Sequence, residues 1–148
     1  MKRKILFIVI AVVVVGAIIG VSVRKEKKFV PPTDGIITKD MADRYLLATK
    51  YLQEAIEEHK KDVEKLAKIY GITPEELESD TLIKSSPEFE KLRKKLLKRW
   101  RKREREAYKK AKISEEEFNW IGQMLTDTTK NKEIRKYIQQ KFLEMFQK

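Results

Sequence analysis

Nine cationic residues, Lys91, Lys94, Lys95, Lys98, Arg101, Lys102, Arg105, Lys109 and Lys112, recur at steps of one, three and four. A helix of 3.6 residues per turn gathers that pattern onto one face. Ammonium and guanidinium groups are charged at neutral pH, so their chemistry is binding rather than bond-making. They neutralise phosphate, carboxylate or sulfate and release condensed counterions. No acid falls inside the set. The expected ligands are anionic lipid, an anionic envelope polymer, nucleic acid or an acidic partner protein; the competing expectation is a solvated outer face that keeps the chain soluble.

Other reactive types are sparse. His59 is the only histidine and there is no cysteine. A metal site needs several such ligands converging, so His59 reads as a core-edge residue holding a hydrogen bond, and no metal is expected. Glu115, Glu116 and Glu117 follow Ser114 at the start of a helix. There, carboxylates interact favourably with the helix dipole, and that reading is preferred to a catalytic acid cluster. The sequence holds no phosphate-cradling glycine loop, no G-x-S-x-G, no H-E-x-x-H and no Walker-type lysine. A non-enzymatic protein without a cofactor is expected.

The basic set needs a long helix, and 87–112 supplies it. Pro87 opens the helix, and Phe89, Leu92, Leu96, Leu97, Trp100, Ala107, Tyr108 and Ala111 gather on the opposite side. Trp100 and Tyr108 therefore read as core rather than as base-stacking residues. An earlier helix is expected from Thr38 to Tyr70 and is closed by Gly71. Its stripe is Met41, Tyr45, Ala48, Leu52, Ala55, His59, Val63, Leu66 and Tyr70. Thr73, Pro74 and Glu76 form a capping box for a short helix, with Ile72 and Leu77 as its staple. Ser114 and Glu117 repeat the design, with Ile113 against Phe118. This helix runs to Thr126, TDTTKNK breaks the pattern, and a last helix from about Asn131 carries Ile134, Ile138, Phe142, Met145 and Phe146. The fold expected is all-α, a bundle of four to five helices over 38–148.

Charge is distributed unevenly. The whole chain carries +11, and residues 91–112 hold thirteen Lys and Arg against two Glu. Residues 31–90 are net acidic and 113–148 are balanced. The 39% charged content and zero cysteines fit a helical domain without disulfides and indicate neither redox compartment.

Residues 5–23, ILFIVIAVVVVGAIIGVSV, set the location. As a helix they cover about 28 Å, close to the hydrocarbon thickness of a bilayer, so a single-pass membrane anchor is expected. The alternative is a cleaved secretory signal with Gly20 and Ser22 at the cut. Gly16 and Gly20 form a G-x-x-x-G pair that lets two such helices pack as a homodimer. Residues 1–4 supply a basic start, and Arg24, Lys25, Lys27 and Lys28 follow the span, placed to meet anionic headgroups. Insertion with the N-terminus inside leaves the helical domain extracytoplasmic. Residues 24–37 read as a linker stiffened by Pro31 and Pro32 and free at Gly35. The stretch ISEEEFNWI resembles segments of helical bacterial envelope proteins of unassigned function. Together these features point to a membrane-anchored interaction or scaffold protein of the bacterial cell envelope, with an unknown protein partner and with polyanion binding as the alternative.

Overall fold

The computed structural model describes residues 28–78 and 87–147. Residues 5–23, with Gly16 and Gly20, lie outside the described residues. Among the described residues, no helix is long and apolar enough to cross a membrane.

The described structure is all-helical, with five helices: α1 (Lys39–Tyr70), α2 (Pro74–Glu78), α3 (Pro87–Ala111), α4 (Glu115–Thr126) and α5 (Lys132–Phe146). Local chemistry sets their ends. The Thr38 hydroxyl accepts from Met41 N at 3.2 Å to start α1. Gly71, at φ +66, ends it: Gly71 N donates to Lys68 O, and Ile72 N donates to Ala67 O. That pair of bonds is the Schellman arrangement, which favours glycine because the position is left-handed. The capping box of α2 closes in both directions, Glu76 N to Thr73 Oγ1 at 3.1 Å and Thr73 N to Glu76 Oε2 at 2.8 Å.

The described residues fall into two compact units, those within 1–51 and 108–148, and those within 52–107. Helices α1 and α3 each supply residues to both.

In the first unit, Phe118 is 1% exposed and lies between two tyrosines. The Tyr45 ring stacks on it at 4.6 Å and Tyr108 tilts against it at 5.4 Å. Burial pushes the Tyr45 phenol up to about 12, so it stays neutral. Ile121, Ile138 and Phe142 are also buried, which docks α5 into this core. Arg135 of α5 donates to the carbonyls of Leu125 and Asp127, at the end of α4, and of Lys130, just before α5.

Residues 29–37, expected as a spacer, are held to this unit. Pro32 to Gly35 form a turn, with Gly35 N donating to Pro32 O at 3.1 Å and Gly35 at φ +68. The Asn131 amide then brackets the segment, accepting from Ile37 N and donating to Gly35 O, both at 2.9 Å. Ile37 is buried, and Phe29 meets the Trp120 ring at 5.8 Å. The freedom expected at Gly35 is absent because its N–H is bonded to Pro32 O within the turn and its carbonyl to the Asn131 amide on the far side of the sequence.

In the second unit, Val63, Ala67, Leu77, Leu92 and Leu96 form the core, with Leu66, Ile72 and Phe89 against them. Trp100 is buried, with the His59 ring 5.6 Å away. Tyr70, the last residue expected in the α1 stripe, is exposed, although its ring touches Phe89.

Candidate functional site

The helix that carries the basic set forms because its apolar side has a core to cover. Leu92, Leu96 and Trp100 are buried in the second unit, and this fixes which way the other side points. Lys91, Lys94, Lys95, Lys98, Arg101, Lys102 and Arg105 all belong to that unit and all are exposed. From Lys91 to Arg105 they extend about 21 Å along the helix. Lys94 pairs with Glu90 at 3.0 Å, and none of the other six has an ion pair among the described residues.

The remaining cations of α3 behave differently. Arg103 Nη2 lies 2.9 Å from Asp62 Oδ2 and Arg99 Nη1 lies 3.8 Å from it. In the first unit, the Lys110 ammonium sits 5.6 Å from the centre of the Tyr51 ring. Arg93 also has an interaction partner. These four are the basic residues of the helix that its periodicity leaves out of the stripe. All but Arg103 are exposed as well, so the helix separates cations that have a partner in the protein from cations that, Lys94 apart, have no ion pair among the described residues.

That separation has an energetic consequence. Lys91 with Lys95, Lys94 with Lys98, Lys98 with Lys102 and Arg101 with Arg105 stand four residues apart on the helix. Like charges so placed destabilise a helix by about 0.2–0.5 kcal/mol per pair. The opposing face therefore opposes its own helix by roughly 1–2 kcal/mol in total, a cost that salt or a bound polyanion relieves.

Lys109 and Lys112, the last two expected members, lie in the first unit and are both exposed. Lys112 needs a correction: α3 ends at Ala111, and Lys112 takes the left-handed conformation at φ 55. Lys112 N donates to Lys109 O and Ile113 N donates to Tyr108 O, so this lysine occupies the helix-closing position usually filled by glycine. The spacing that aligns it with Lys98 and Arg105 stops one residue earlier.

The glutamates expected in the first turn of α4 also divide. Ser114 caps the helix, accepting from Glu117 N at 3.1 Å, as the box requires. The Glu117 carboxylate does not close the box. It is buried and forms a bidentate pair with Arg44, whose Nη1 also donates to Lys112 O at 3.2 Å. The hydrogen bond to Glu117 raises the Arg44 pKa further above its usual value. Burial, with Glu116 beside it, raises that of Glu115. No spacing near Arg44 marks a partner 73 positions away; the only local signal is an arginine bordering an apolar stripe.

His59 is half-buried. Its Nε2 lies 3.8 Å from Glu78, and among the described residues its Nδ1 has no hydrogen-bond partner, so the expected hydrogen bond is not found there. Burial lowers its pKa despite the nearby acids. No group of three or more His, Cys, Asp or Glu among the described residues is placed to hold a metal.

No protein-family model, curated protein or solved structure matches this chain.

Proposed function

We propose that this chain is a single-pass, membrane-anchored helical interaction module of the bacterial cell envelope, and that the α3 face from Lys91 to Arg105 is the surface that engages a polyanion. The anchor is residues 5–23, and the module acts by binding rather than by catalysis. The observation that carries the reading is the sorting of α3 cations. Arg99 and Arg103 pair with Asp62, while six of the seven facing cations have no acidic partner among the described residues. A face that serves only solubility has no need of a single sign, since mixed charges solvate a helix without the i,i+4 repulsion.

Binding of the full chain in nanodiscs of neutral lipid to anionic vesicles and to nucleic acid tests the proposal. Wild type binds at low salt and weakens steeply as salt rises, because each neutralised phosphate releases counterions. Changing Lys94, Lys98, Arg101 and Arg105 to Glu abolishes binding and preserves the helical circular dichroism. Equal binding by the reversed protein, or none by the wild type, removes the polyanion role. Mass spectrometry of the mature chain separates the anchor from the secreted alternative: a chain beginning near Val23 means that the segment is cleaved.

A further inference from the structure

The geometry points to a second membrane contact, in which Phe29, Val30, Ile36 and Trp120 of the first unit rest in the headgroup layer of the bilayer that holds residues 5–23. This inference rests on the single-pass reading and adds to it the place where the domain sits.

Chain length carries the first step. Once residues 29–37 are docked, only Arg24 to Lys28 separate the end of the span from the folded unit. Five residues reach at most about 18 Å when fully extended. The headgroup layer occupies roughly 5–7 Å of that distance on each side of the hydrocarbon. Phe29 and its neighbours therefore cannot stand far from the lipid, whatever path the five residues take.

Side-chain chemistry carries the second. Val30 is 79% exposed and Ile36 is 54% exposed, one on each arm of the Pro32–Gly35 turn. No described residue of the unit covers them. Phe29 and Trp120 are half-buried against one another, and tryptophan is enriched where an apolar ring and a polar N–H meet the membrane–water boundary. Lys28 is exposed just before the segment, and Lys130 is exposed with its ammonium 3.4 Å from the Asp34 carbonyl. Cations flanking exposed apolar side chains match an anionic headgroup layer better than they match a basic second copy of this chain.

The chain has two tryptophans, Trp100 and Trp120. Subtracting the emission of a Trp120→Phe variant from that of wild type isolates Trp120 and leaves the buried Trp100 untouched. The full chain is reconstituted in vesicles of phosphatidylcholine and phosphatidylglycerol, with acyl chains brominated near the headgroup end. Flotation of the vesicles reports the anchor independently. The expected result is co-flotation with a Trp120 signal that shifts to the blue and loses intensity to bromine. The double substitution Val30→Asp with Ile36→Asp, both at exposed positions, removes the quenching and leaves flotation unchanged. Co-flotation without quenching overturns the docking face and spares the anchor. A blue shift insensitive to bromine overturns it in favour of a protein partner, and failure to float removes the anchor and the docking face together.

Discussion

Arg44 and Glu117 meet across 73 positions of sequence in a two-bond pair, Nη2 to Oε1 at 2.6 Å and Nη1 to Oε2 at 2.8 Å. The carboxylate side chain is 11% exposed and the guanidinium 25%, so the pair is partly withdrawn from water. Planar two-point pairing adds geometric definition to the charge attraction, and here it ties the start of α1 to the start of α4. Glu117→Gln should lower the stability of the first unit by about 1–3 kcal/mol, since it leaves a partly buried guanidinium with one neutral acceptor. Thermal denaturation measures the loss. A double-mutant cycle with Arg44→Met should return a coupling above the 0.2–1 kcal/mol expected of an exposed pair.

Lys112 provides the opposite case, a position where the native residue is strained. A non-glycine residue in the left-handed region costs about 1–2 kcal/mol. Lys112→Gly should therefore raise stability by up to about 1 kcal/mol, allowing for the entropy glycine gains in the unfolded chain. The hydrogen bond from Arg44 Nη1 to the Lys112 carbonyl is retained. Because Lys112 lies beyond α3, polyanion affinity should change less than for Lys98→Ala, as titration of both variants at one salt concentration will show.

Arg101 and Arg103 are two residues apart and predict different phenotypes. Arg103→Ala removes the 2.9 Å partner of half-buried Asp62 and should destabilise the second unit by about 1–2 kcal/mol. Arg101→Ala should leave stability within about 0.5 kcal/mol and weaken binding to anionic vesicles. Chemical denaturation and vesicle titration on the same samples distinguish the two roles.

Asn131 holds Ile37 N and Gly35 O and itself adopts a left-handed conformation at φ 58. Asn131→Ala loses both bonds and adds backbone strain, so a cost of about 2–3 kcal/mol is expected. Asn131→Gly relieves the strain and still loses the bracket. Hydrogen exchange at Ile37 should accelerate in both variants.

His59 gives the second unit a pH dependence. Its folded pKa is lowered by burial, with Glu78 and Asp62 raising it in part and Arg103 lowering it further. The folded state therefore binds a proton less readily than the unfolded chain. Its contribution is full above the ordinary histidine value of about 6.5 and is lost as pH falls through that value toward the folded one. Wild type should lose stability relative to His59→Gln as pH falls through about 6.5, the ordinary histidine value, as paired denaturant titrations will show.

The sequence determined what depends on neighbours three and four residues apart. The ends of α1, the two-way box of Thr73 and Glu76, the burial of Trp100, and the division of α3 into an apolar side and a cationic side all follow from local spacing. Helix periodicity even separated Arg99 and Arg103 from Arg101, because the side a residue occupies is fixed once the apolar stripe faces a core. Tertiary structure alone decided where long side chains and irregular backbone find partners. Glu117 is within reach of its own helix start, yet its carboxylate goes to Arg44, since a charge-assisted two-point bond is stronger than a single bond to a backbone N–H. Pro31, Pro32 and Gly35 read as a spacer because their local preference is only for a turn. That turn becomes part of the first unit because the Asn131 amide, 94 positions beyond Ile37, presents a donor and an acceptor at the spacing of a peptide edge. Such pairings appear only once chain closure brings the groups together, and no local pattern encodes them.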